Sequence, residues 1–134
     1  MAKVIDIEGI GPVIAGKLQA AGIDTTDELL SRGGTPAGRS AIADATGWST
    51  KQVLEWVNRA DLMRVRGVGS EFSDLLENAG IDTVPELAQR RADNLAAKLA
   101  EVNEAKKLTR RTPSAAEVEK WIAHAKELGR AISY

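Results

Sequence analysis

The sequence predicts an all-α fold in which two pseudo-symmetric repeats of short helices pack into one compact domain. Three observations carry this. The segments Ile7-Glu8-Gly9-Ile10-Gly11 and Ala21-Gly22-Ile23-Asp24-Thr25 return at a constant offset of 58 residues as Val65-Arg66-Gly67-Val68-Gly69 and Ala79-Gly80-Ile81-Asp82-Thr83. No stretch sustains the two-residue alternation of β-branched and aromatic residues that marks a strand. Glycine, proline and capping residues instead cut the chain into helix-length pieces.

Each element follows from its punctuation. Pro12 suits the first position of a helix running to about Ala21, with Gly22 as its stop. Thr25 and Glu28 have the spacing of a capping box, in which each end residue satisfies the other's free N–H, and open a second helix. Thr35-Pro36 begins a segment ending near Gly47, and Ser49 with Gln52 forms a second box opening a helix that carries Val53, Trp56, Val57 and Ala60 on one face. Asp61 to Arg64 reads as a turn. The second repeat starts its helix at Ser70 and ends it at Gly80, rebuilds the first box as Thr83 with Glu86, and rebuilds the second as Ser114 with Glu117. Val118, Trp121, Ile122 and Ala125 then stand at the same spacing after Ser114 as their counterparts after Ser49. Between these anchors the second repeat is seven residues longer, which a helix over 93–107 and a loop over 108–113 absorb. The repeats are 1–64 and 65–134, and a duplication of this extent exceeds chance similarity. Each alone offers a marginal core, so the two are expected to pack together.

Composition narrows the functions. With 134 residues and 43% apolar content the chain can bury a core. It has no cysteine and a single histidine, His124, which removes thiolate and imidazole-rich metal sites; no metal is expected. No apolar run approaches the ~20 residues of a membrane span, and the first residues lead into acidic positions rather than a signal-peptide core. A soluble cytoplasmic protein without membrane partners is the expectation. Eighteen basic against nineteen acidic residues leave a net charge of −1, whereas dedicated duplex binders carry a basic excess.

The apolar-x-Gly-apolar-Gly turn opening into a helix presents backbone N–H groups, which attract phosphate. Gly9-Ile10-Gly11 with Ala15 and Leu18, and Gly67-Val68-Gly69 with Ser73 and Leu76, resemble the helix-hairpin-helix motif. The resemblance implies that the amides of Gly9, Gly11 and Val13 face a phosphate, Pro12 having no N–H, and that those of Gly67, Gly69 and Glu71 do so in the second copy. It also implies a monovalent cation held by the carbonyls of Ile5, Ile7 and Ile10, and of Met63, Val65 and Val68; no other cofactor is expected. The whole arrangement is similar to an uncharacterised bacterial domain family of tandem helix-hairpin-helix units.

Charge near the two bends differs. The first has Lys3 and Lys17 beside Asp6 and Glu8; the second has Arg64 and Arg66, then Glu71, Asp74 and Glu77. Acidic residues at a helix start stabilise it while repelling phosphate, which makes the first bend the better phosphate binder. Further charge is expected from Arg90, Arg91, Lys98, Lys106, Lys107, Arg110 and Arg111, against Asp93, Glu101 and Glu104. Trp56 and Trp121, at matching positions on apolar faces, read as core anchors, with Trp48 the one candidate for stacking a base. The expected function is non-catalytic, weak, sequence-independent binding of nucleic-acid backbone, DNA in the first place, with the partner's strandedness left open. Its residues are Gly9, Ile10, Gly11, Val13, Lys17, Gly67, Val68, Gly69, Arg66, Lys106, Lys107, Arg110 and Arg111. The alternative is a protein-interaction scaffold that keeps the glycines for packing alone, favoured by the neutral charge. A distant third is an abasic-site lyase, because Lys17 matches in position the Schiff-base lysine of a helix-hairpin-helix lyase domain.

Overall fold

In a computed structural model, which describes residues 2–134, the chain is all-α: eight α-helices and no strand are found among the described residues. They are α1 (Pro12–Ala20), α2 (Thr26–Gly33), α3 (Pro36–Thr46), α4 (Thr50–Leu62), α5 (Ser70–Asn78), α6 (Val84–Ala88), α7 (Ala92–Lys106) and α8 (Ala115–Glu127). The chain divides into two compact units, Met1–Asp61 with Ala131–Tyr134, and Leu62–Arg130.

In the first unit a short 3-10 turn, Val4–Asp6, precedes α1. It is fixed by main-chain bonds from the Val4 N–H to Asp24 O and from the Thr26 N–H to Ala2 O. Pro12 occupies the first turn of α1 and Gly22, at φ +85°, follows its last turn. Thr25 and Glu28 form the anticipated box, the Glu28 N–H donating to Thr25 Oγ1 and the Thr25 N–H to Glu28 Oε1, each at 3.1 Å. Such a cap contributes about 1 kcal/mol. Ser49 Oγ accepts from the Gln52 N–H at 3.1 Å at the start of α4.

Two features of this unit depart from the sequence reading. Asp61 and Leu62, assigned to a turn, belong to the last turn of α4 and are buried; Leu62, where the second unit begins, lies in that unit's core. The last four residues, assigned to the second repeat, pack with the first unit. Ile132 is buried, the Ser133 N–H donates to Gly34 O at 2.7 Å, and the buried Arg39 guanidinium donates to Gly33 O at 2.9 Å and to Ser133 O at 2.7 Å.

The second unit closes around Leu75, Leu76, Ile81, Leu87, Leu95, Leu99, Val118 and Trp121. Helix α8 packs against both α6 and α7. Ser114 and Glu117 cap α8 reciprocally, with the Glu117 N–H on Ser114 Oγ at 3.2 Å and the Ser114 N–H on Glu117 Oε1 at 3.1 Å. The box expected at Thr83 is incomplete. Glu86 reaches back to the Asp82 N–H and accepts from the Thr83 hydroxyl, but that hydroxyl caps no helix N–H. Pro85 has no N–H, which leaves α6 with one fewer donor for a cap to serve.

Candidate nucleic-acid interface

Burial on either side of Gly9 creates the first bend. Ile7 and Ile10 are buried, which turns Glu8 and Gly9 outward, and the Ile10 N–H closes onto Ile7 O at 3.0 Å. Gly9 sits at φ +90°, a conformation that L side chains rarely adopt. Gly11 differs. It caps α1 with ordinary extended backbone, φ −90° and ψ −176°, and a Cβ there would meet nothing within 4 Å. Neither its conformation nor its neighbours demand glycine. The N–H groups of Gly9, Gly11 and Val13 have no acceptor among the described residues, and Val13 itself is 71% exposed.

Two cations border this bend. Lys17, one turn beyond Val13 on α1, lays its ammonium over the half-buried Trp48 ring, 4.9 Å from the centroid, a cation–π contact. Trp48 in turn meets Trp56 edge to face at 5.3 Å and 78°. The second cation, Arg59 of α4, was not anticipated from sequence; its Nη1 donates to Glu8 O beside Gly9. Asp6 turns its carboxylate onto the Lys3 N–H at 3.1 Å. Trp56 and Trp121 are buried, as their matching positions implied.

The second bend has the same backbone and different surroundings. Val65 and Val68 are buried, the Val68 N–H donates to Val65 O at 3.0 Å, and Gly67 lies at φ +92°. Gly69 caps α5 in extended conformation, and a Cβ on it would also meet nothing within 4 Å. The N–H groups of Gly67, Gly69 and Glu71 have no acceptor among the described residues. The Arg66 N–H does have one: it donates to Nδ1 of His124 on α8 at 2.9 Å. Beside it the Trp121 indole nitrogen stands 3.0 Å from where a Cβ on Gly67 would be. Arg66, Gly67, Trp121 and His124, with Glu117, Lys120 and Glu127, line a cleft of about 400 Å³.

The basic stretch lies in the second unit, and its members disperse. Arg110 and Arg111 reach the start of α5. Arg110 Nε is 3.9 Å from Glu71, and Arg111 stacks on Phe72 with its guanidinium 5.3 Å from the ring centroid. Arg111 also grips Glu117 through two bonds of 2.6 and 2.8 Å. Those bonds, joined by the Ser114 N–H, hold the Glu117 carboxyl down to about 2. Lys106 donates to Asn78 Oδ1 at 2.9 Å, at the far end of α5. Lys107 caps α7 in left-handed conformation at φ +53°. Arg90 and Arg91 face Glu119 and Lys126 across a separate cleft, with Arg91 paired to Asp93 at 3.4 Å.

Of the carbonyls named for a cation, those of Ile7 and Val65 accept the turn N–H groups of Ile10 and Val68. No group of three or more His, Cys, Asp or Glu side chains suited to a metal occurs among the described residues. None of the described helices is long and apolar enough to cross a membrane.

Residues 8–128 match the family described as Domain of unknown function (DUF4332). No curated protein and no solved structure matches the chain.

Proposed function

The chain belongs to the DUF4332 family, and from that premise and the chemistry of the two bends we propose a non-catalytic, tandem helix-hairpin-helix module that binds nucleic-acid backbone, duplex DNA first, weakly and without regard to sequence. The observation that carries the reading is Gly11. Its dihedral angles suit any residue and open space stands where its side chain would be. A glycine that the fold does not require is explained by a ligand that approaches the main chain too closely for a Cβ. Gly69 repeats the argument.

A phosphate over the first bend would take N–H donors from Gly11 and Val13 at the positive end of α1. Arg59 and Lys17 supply positive charge nearby, and Asp6 and Glu8 oppose it, which keeps affinity low. At the second bend Glu71 stands over the helix start, with Arg110 close enough to offset it. The favoured compartment is the cytoplasm.

The test is titration of a fluorescent duplex with the full chain over a salt series. A log–log slope of about −2 corresponds to two phosphates contacted. Gly11→Val, which adds bulk in a conformation valine tolerates, should abolish binding while leaving the unfolding midpoint nearly unchanged. Absence of binding even at low salt would instead support the scaffold alternative.

A further inference from the structure

The cleft beside the second bend has features that backbone binding does not use. Trp121 is only 3% exposed as a residue, and its indole nitrogen stands 3.0 Å from where a Cβ on Gly67 would be. A methyl there would stand 3.0 Å from that nitrogen and cover it. Glycine at position 67 therefore leaves that N–H uncovered beside the cleft, where a ligand oxygen can accept it. The neighbouring His124 is fixed in tautomer: Nδ1 accepts the Arg66 N–H, so in the neutral ring the proton is on Nε2, a second donor. Lys120 and Arg66 add two cations from either wall. Of the two carboxylates present, Glu117 is held by both Arg111 nitrogens, which leaves Glu127 as the opposing charge. At about 400 Å³ the cleft falls within the range of small-ligand sites.

We infer that this cleft binds a phosphate monoester, its terminal oxygens accepting from Trp121 Nε1 and His124 Nε2 and its charge met by Lys120 and Arg66. The inference goes beyond backbone binding and does not rest on it, since the donors are side chains of α8 and the site lies in the second unit. A free mononucleotide and the 5′-phosphorylated end of a strand offer this same dianion.

The experiment is an NMR titration of the full, ¹⁵N-labelled chain with adenosine 5′-monophosphate, adenosine, and an oligonucleotide with and without a 5′-phosphate. The Trp121 indole resonance should move saturably with the monophosphate, with a Kd of about 1 mM or tighter, and stay in place with adenosine. Lys120→Gln, at an exposed position, should weaken the response about tenfold, as loss of one charge-assisted contact implies. A response to the 5′-phosphorylated strand but not its 5′-hydroxyl counterpart supports the site and identifies a strand end as the source. An indole resonance unmoved by every phosphate, moved equally by adenosine, or titrating identically in Lys120→Gln overturns the inference. Duplex binding that fails while the indole responds removes the backbone reading alone.

Discussion

Alanine at Gly67 should destabilise the second unit by considerably more than alanine at Gly80, although both glycines have nearly the same backbone, φ +92° and +94°. A Cβ at Gly80 meets nothing within 4 Å, so Gly80→Ala carries the conformational penalty alone. That penalty is about 1–2 kcal/mol for an L residue with positive φ, partly offset by the lower entropy of the unfolded chain, so about 1 kcal/mol remains. At Gly67 the same penalty applies, and the new methyl also stands 3.0 Å from the Trp121 indole nitrogen. Trp121 is buried and tilted against Phe72 with centroids 5.1 Å apart, so the ring cannot swing away as a flexible side chain would. Overpacking of this kind adds about 1–3 kcal/mol, which places Gly67→Ala at about 2–4 kcal/mol. Gly9 is an internal comparison: its φ is +90°, but its Cβ would meet the movable end of Arg59 at 3.4 Å, so Gly9→Ala should resemble Gly80→Ala. Urea unfolding monitored at equal m-value reads these differences, and the Gly67 and Gly80 variants report on one unit and hence on one transition. Gly67→Ala within about 0.5 kcal/mol of Gly80→Ala, below the smallest overpacking effect, would refute the rigidity assigned to the indole.

Four further outcomes follow from single contacts. The Glu117 carboxyl is lowered from 4.5 to about 2 in the folded chain, so its contribution to stability is fully present above pH 4.5 and is lost as pH falls toward 2; acid titration of Glu117→Gln should lack that part of the decline. Arg39→Leu leaves the carbonyls of Gly33 and Ser133 without their donor, at about 1–3 kcal/mol for each that stays buried, and hydrogen exchange at the Ser133 amide should accelerate as the terminal segment loosens. Leu99→Ala empties a fully buried position in the second core and should destabilise by about 2–5 kcal/mol in thermal or urea unfolding. Lys17→Gln should reduce the salt slope of duplex binding by about 1, since only a charge that reaches a phosphate contributes to it; an unchanged slope would leave the Lys17 ammonium committed to Trp48.

Sequence was most informative where the determining chemistry is local. Pro12 in the first turn of α1, the boxes at Thr25 and Ser114, and the glycines after α1 and α5 each act within three or four residues, and each boundary they imply is observed. The failures have local and tertiary causes. Asp61 and Leu62 carry no stop signal, α4 runs through both, and Leu62 is buried in the second core. At Thr83 the capping pattern is present, but Pro85 and the reach of Glu86 to Asp82 redirect its bonds. What sequence could not supply was pairing across distance: Arg39 with Ser133 is 94 residues apart, His124 with Arg66 is 58, and Arg59 with Glu8 is 51. A usable signal existed for the last two. Arg59 follows Ser49 at the same interval as His124 follows Ser114, and Glu8 and Arg66 are themselves matched at the 58-residue offset. These equal spacings conceal opposite chemistry. Arginine can only donate, so Arg59 binds a carbonyl of the first bend and leaves its amides available. A neutral histidine can accept, so His124 takes an amide of the second bend, and its ring lines the cleft there. One residue at one register position therefore gives two similar main-chain bends different surroundings: an arginine donating to a carbonyl in the first, and a histidine accepting an amide in the second.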